Sequence, residues 1–135
     1  MASVQRRMLS KQDEGEEVEV RKEDQEKINR FSTLHRRVGN LEEDLKAKNK
    51  EKEDLEEISM ELELADEDDK ISYKIGDSFM LLPLPKVQEL LTEAVEGVDG
   101  EVTAIEGNLD SLREEMTTLK AALYGRFGRS INLEA

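Results

Sequence analysis

The stretch Ile71-Ser72-Tyr73-Lys74-Ile75-Gly76-Asp77-Ser78-Phe79-Met80-Leu81-Leu82 changes the period of the chain. On both sides of it apolar residues recur at helical spacing. Within it Ile71, Tyr73 and Ile75 alternate with Ser72 and Lys74, which is the period of two of a β-strand. Gly76-Asp77 then interrupts, and a second apolar run follows. Glycine first in a two-residue loop favours a type II′ turn, whose twist matches that of paired strands. The stretch therefore predicts a β-hairpin over 70–82. A hairpin also reverses the chain, so the segments flanking it must run antiparallel.

Upstream, Glu23 and Asp24 stand where acids favour a helix N-terminus, and apolar residues begin at Ile28. A helix is predicted over 23–64. Its heptads place Phe31, Val38 and Leu45 at a, and Leu34, Leu41, Leu55 and Leu62 at d, with Ile28 and Ile58 flanking the seam. Lys48, Lys52 and Ser59 interrupt that seam. Downstream, Pro85 suits the first turn of a helix and Pro83 blocks an earlier start, so the second helix is predicted over 85–127. Its seam carries Val95, Val102, Leu109, Met116 and Leu123 at a, and Leu91, Val98, Ile105, Leu112 and Leu119 at d. No polar residue enters it. Gly97, Gly100 and Gly107 fall off the seam, where each weakens the helix by about 1 kcal/mol relative to Ala without opening the packing face.

These elements predict a mainly α fold: a long antiparallel two-helix coiled coil with one β-hairpin between the helices. At 1.5 Å per residue each helix would run roughly 60 Å, so an elongated molecule is expected. Pairing the helices at position sums near 150 sets Phe31 against Leu119, Leu34 against Met116, Val38 against Leu112, Leu41 against Leu109 and Leu45 against Ile105. Lys48 and Lys52 would then meet Val102 and Val98, which predicts a compliant zone. The domain of 23–128 is expected to be flanked by a disordered tail over 1–22 and a short tail over 129–135. Met1 to Lys11 carries Arg6, Arg7 and Lys11 with few acids, as a mitochondrial presequence does, but acids follow at once and no apolar face forms.

The 135 residues carry 39% charged and only 4% aromatic side chains, with no Cys and no Trp, a composition without material for a large globular core. A net charge of −13 argues against partners bound through phosphates, whether nucleic acid or anionic membrane. The lack of Cys removes thiolate catalysis and Cys-based zinc sites and suits the cytosol. The one histidine, His35, lies in the charged run Leu34-His35-Arg36-Arg37 with no second His or Cys to build a catalytic or metal site. Asp66, Glu67, Asp68 and Asp69 lack the alternating acids, central glycine and terminal glutamate of a calcium loop and are read as a solvated helix end. No catalytic site, metal or cofactor is expected.

Shape and apolar surface remain. A two-stranded hairpin is marginal alone in water, and this one presents Phe79 and Leu81 on one face with Met80 and Leu82 on the other. Cover on both faces requires other chains, and the alternative is a hairpin that caps its own helices. At the other end, Ile28, Phe31 and Leu34 of the first helix are set near Leu123, Tyr124 and Phe127 of the second. Two readings stand side by side: these residues close the last turn of the coiled coil, or fraying helix ends offer them to apolar segments of other proteins.

The segment Glu23-Asp24-Gln25-Glu26-Lys27-Ile28-Asn29-Arg30-Phe31, the hairpin Tyr73-Lys74-Ile75-Gly76-Asp77-Ser78-Phe79 and the ending Leu123-Tyr124-Gly125-Arg126-Phe127-Gly128-Arg129-Ser130-Ile131-Asn132-Leu133-Glu134 resemble the β-type subunits of the prefoldin family. The order helix, single hairpin, helix is that type's signature, and the acidic Leu64-Ala65-Asp66-Glu67-Asp68 also fits. The resemblance implies a heterohexamer of two α-type and four β-type subunits in the cytoplasm, its hairpins assembled into β-barrels. It implies an ATP-independent holdase that binds unfolded proteins, notably actin and tubulin, and delivers them to the cytosolic group II chaperonin. By position, Ile71, Tyr73, Ile75, Phe79 and Leu81, with the turn at Gly76, would form the assembly platform. Ile28, Phe31, Leu123, Tyr124 and Phe127, with Leu34 beside them, would form the client-binding tip. A reading of another class is a scaffold or tether that uses the coiled coil as a spacer and holds one folded partner.

Overall fold

The computed structural model describes residues 19–128 together with Ile131 and Leu133. The order is α1 (Lys22–Leu62), β1 (Lys70–Ile75), β2 (Ser78–Pro83) and α2 (Leu84–Phe127). The expected sequence of helix, hairpin and helix is therefore observed. The presequence-like stretch and most of both expected tails lie outside the described residues. Contacts divide the chain into two compact units, one holding residues up to Glu42 and from Asn108 on, the other running from Glu43 to Gly107.

In the first unit α1 starts one residue before the expected position. Asp24 in its first turn reaches back to accept a hydrogen bond from the Arg21 backbone N–H at 2.9 Å, the third-residue half of a capping box. Buried side chains then recur along α1 as Ile28, Phe31, Leu34 and Val38, and along α2 as Leu109, Leu123 and Phe127. Three ion pairs cross between the helix segments: Asp24 with Arg126, Arg30 with Glu115 and Glu42 with Arg113. Their position numbers sum to 150, 145 and 155, the register that apolar patterning predicts. Gly128 ends α2 with a φ of 59°, a left-handed conformation in which glycine pays no side-chain clash.

In the second unit the buried residues belong to α2: Leu84, Val87, Leu91 and Val98. Leu45, Leu55 and Leu62 of α1 are half-buried. Lys48 and Lys52 do not end against Val102 and Val98 as the heptads suggest. Their flexible stems carry the ammonium groups past the seam to Glu101 at 2.6 Å and Asp99 at 2.7 Å. The Glu101 and Glu51 carboxylates raise the affinity of Lys48 for its proton, and Asp99 does the same for Lys52.

α1 ends at Leu62, two residues short of the expected boundary, because the last turns tighten. Glu63, Leu64 and Ala65 donate to the carbonyls three residues back, of Met60, Glu61 and Leu62. Asp66 to Asp69 is a turn rather than a helix end: the Asp69 N–H donates to the Asp66 carbonyl, and the Asp66 N–H donates to the Asp69 carboxylate. The Leu84 N–H donates to the Asp69 carbonyl at 3.2 Å and ties the start of α2 to the entry of the hairpin. Pro83, which has no N–H to give, closes β2 opposite Lys70.

Candidate functional site: the hairpin face and the helix-terminal cluster

β1 and β2 pair antiparallel with Ile71 opposite Leu82, Tyr73 opposite Met80, Ile75 opposite Ser78, Ser72 opposite Leu81 and Lys74 opposite Phe79. Opposed residues share a face. Ile71, Tyr73, Ile75, Met80 and Leu82 thus lie on one side, and Phe79 and Leu81 lie on the other with Ser72 and Lys74. The turn is the expected one. Gly76 has a φ of 62° while no other described residue except Gly128 has a positive φ, so Asp77 follows in the ordinary region, as in a type II′ turn.

The two faces differ in cover. Ile71, Tyr73 and Leu82 are half-buried, whereas Phe79 and Leu81 are each 69% exposed. Even on the better covered side Met80 and Ile75 stand about half exposed. The hairpin does not bury itself on its own helices. Neither strand has a second neighbour among the described residues, so both outer edges present unpaired backbone groups. Fully covering Phe79 and Leu81 would release about 1.5–3 kcal/mol each. Met60 and Leu64, at and beyond the end of α1, are also largely exposed, which heptad assignment did not reveal because Met60 lies off the seam and Leu64 beyond the last helical turn.

At the ends of α1 and α2 the arrangement is closed. Ile28, Phe31, Leu123, Phe127, Ile131 and Leu133 form one buried cluster, against which Met116, Leu119 and Tyr124 pack. Leu34 is fully buried, and Tyr124 is half-buried with the Lys120 ammonium 5.6 Å from its ring centre. His35 stacks against Phe31 with ring centroids 6.5 Å apart. Ile131 and Leu133 are members that heptad reading could not supply, because they follow the helix. The signal was the apolar alternation in Ile131-Asn132-Leu133 after the helix-ending Gly128.

Beside this cluster lies the buried carboxylate of Asp24. The Arg126 guanidinium donates to it at 2.6 Å and also donates to the Glu19 carbonyl. Burial pushes the Asp24 carboxyl up, but the Arg21 N–H and the Arg126 guanidinium outweigh it and hold the group below its ordinary value of 3.8. No cluster of His, Asp and Glu suited to a metal occurs among the described residues, and no helix there is long and apolar enough to cross a membrane.

The family model described as "Prefoldin subunit" matches residues 25–130. The chain belongs to the prefoldin subunit family. Among its relatives, prefoldin subunit 4 of Saccharomyces cerevisiae is 39% identical over 112 residues, covering 83% of this chain and 87% of that protein. Prefoldin subunit 4 of Homo sapiens is 39% identical over 121 residues, covering 89% and 90%. The crystal structure of the prefoldin beta subunit from Thermococcus strain KS-1 superposes with a TM-score of 0.75 at 14% identity, over 83% of this chain and 98% of that one. At that identity the likeness bears on the fold alone, and it is the two-helix, single-hairpin fold of the prefoldin β type.

Proposed function

We propose that this prefoldin-family chain is one subunit of a heterohexameric, ATP-independent holdase in the cytoplasm, built from two α-type and four β-type subunits. It binds unfolded proteins, actin and tubulin among them, and passes them to the cytosolic group II chaperonin. The observation that carries the assembly part is the hairpin, whose exposed Phe79 and Leu81 and open strand edges call for other chains. Neighbouring hairpins satisfy both needs at once, by continuing the sheet and covering its apolar face.

Ile28, Phe31, Leu34, Leu123, Tyr124 and Phe127 are assigned to client binding. Because five of them are buried, client binding requires the helix ends to open, and the residues offered are those released when the cluster frays. The same burial supports a second reading, a spacer whose cluster stays shut and which holds one folded partner. A light-scattering assay with a chemically denatured protein, without nucleotide, separates them. The assembled complex is expected to suppress aggregation. Phe31→Ser with Tyr124→Ser and Phe127→Ser is expected to abolish suppression, and the single change at half-buried Tyr124 to weaken it with the fold retained. Unchanged suppression by both variants moves client binding elsewhere, and absence of suppression by the wild-type complex favours the spacer.

A further inference from the structure

The net charge of −13 is unevenly placed. Between Glu43 and Gly107 there are twenty acidic and seven basic residues, a net of −13 that equals that of the whole chain. From Lys27 to Leu41, in the first unit, there is no acid at all, while Lys27, Arg30, Arg36 and Arg37 supply four cations. Arg30 is satisfied by a two-pronged contact with Glu115, its Nε and Nη2 donating at 3.1 and 3.3 Å. One heptad further along α1 stands Arg37, and one heptad back along α2 stands Asn108. The repeat thus brings a second arginine to the equivalent place and omits its carboxylate.

Arg37 and Asn108 line a groove of about 400 Å³ together with Asn40, Ser111, Leu41 and Leu112. Arg37 is exposed and has no ion-pair partner among the described residues, and the side chains of Asn40, Asn108 and Ser111 carry no hydrogen bond there. A guanidinium fork beside amide and hydroxyl donors, over two half-buried leucines, matches a carboxylate on a short aliphatic stem.

We infer that the groove at Arg37 binds an aspartate or glutamate side chain of an acidic segment of another protein. Glu115 on Arg30 shows the contact in miniature: a carboxylate from outside the helix held by the fork of an α1 arginine. Charge decides where such a segment docks, since the strongly acidic second unit repels it and the acid-free stretch of α1 does not. The groove shares no residue with the hairpin or with the helix-terminal cluster.

Fluorescence anisotropy of a labelled peptide of alternating Glu and Ser, titrated with the full chain in its native assembly, tests this. Arg37→Glu is expected to weaken binding about tenfold, and Arg36→Glu, which removes an equal charge outside the groove, by less than about twofold. Asn108→Glu supplies the missing carboxylate from within and is expected to block the peptide while keeping the fold. Equal losses from the two arginine changes would reduce the effect to net charge and overturn the proposal. Full binding by the Asn108 variant would also overturn it. Binding by the wild type only after deletion of residues 1–18 would assign the groove to the acids Asp13, Glu14, Glu16 and Glu17 of the same chain.

Discussion

Asp24 joins local and long-range structure in one side chain, since the same carboxylate receives the Arg21 N–H at the start of α1 and the Arg126 guanidinium near the end of α2. Removing Arg126 leaves a buried charge with half its partners, so Arg126→Ala is expected to cost about 2 kcal/mol in urea unfolding. The carboxyl is held below 3.8 in the folded chain, so the stability it contributes is present above its unfolded value and is lost as pH falls through the folded one. Asp24→Asn removes this dependence. The gap between wild type and variant is expected to be widest near neutral pH and to narrow from about pH 5 downward, as read by denaturation midpoints across that range. A gap that widens in acid would reverse the assignment. Sequence marked Asp24 only as a favourable acid for a helix start, because its partner is 102 residues away and nothing local announces it.

At the scale of the element, the two seams show how far a heptad pattern can be read. The clean seam of α2 yields buried Leu91, Val98, Leu109 and Leu123, yet Val95, Val102, Ile105, Leu112, Met116 and Leu119 are only half-buried. Two helices alone cannot enclose every a and d side chain. Leu84 and Val87 were missed because they lie before the first full heptad, where α2 leaves the hairpin. On α1 the interruption at Lys48 and Lys52 is legible, but its resolution is not: the heptad marks an amine on the seam and cannot say that it reaches an acid beside it. Exposed ion pairs contribute less than an aliphatic seam residue does, so Lys48→Leu with Lys52→Leu is expected to raise the chain's urea midpoint. Amide exchange between residues 45 and 55 should slow in that variant, and in the wild type be faster there than in the flanking turns. The hairpin turn is more sharply specified. Gly76→Val places a β-branched residue at positive φ and is expected to cost about 1–2 kcal/mol and to weaken assembly, whereas Gly76→Asn should be milder.

For the whole molecule, the sequence and the fold agree that the hairpin keeps apolar surface that the chain itself does not cover. Apolar alternation in Ile71 to Leu82 is strong enough to identify strands, and the register shows that alternation in two opposed strands produces two apolar faces, only one of which the chain half covers. The fold and the hairpin's two apolar faces were legible for that reason: both follow from period and from turn chemistry, which are local. The helix-terminal cluster was legible in its helical members and not in its closure by Ile131 and Leu133. Family membership agrees with an assembled state, and the proposed assembly requires that Phe79 and Leu81 be buried by other subunits. Phe79→Asp with Leu81→Asp leaves both helices intact and is expected to abolish association.

Native mass spectrometry of the complex purified through this chain measures that directly. A particle of six small subunits, this chain among them, is expected, and it should collapse to the free 15.4 kDa chain when Phe79 and Leu81 are replaced by Asp. A wild-type chain that purifies as a folded monomer, or a hexamer that survives the double replacement, would contradict it.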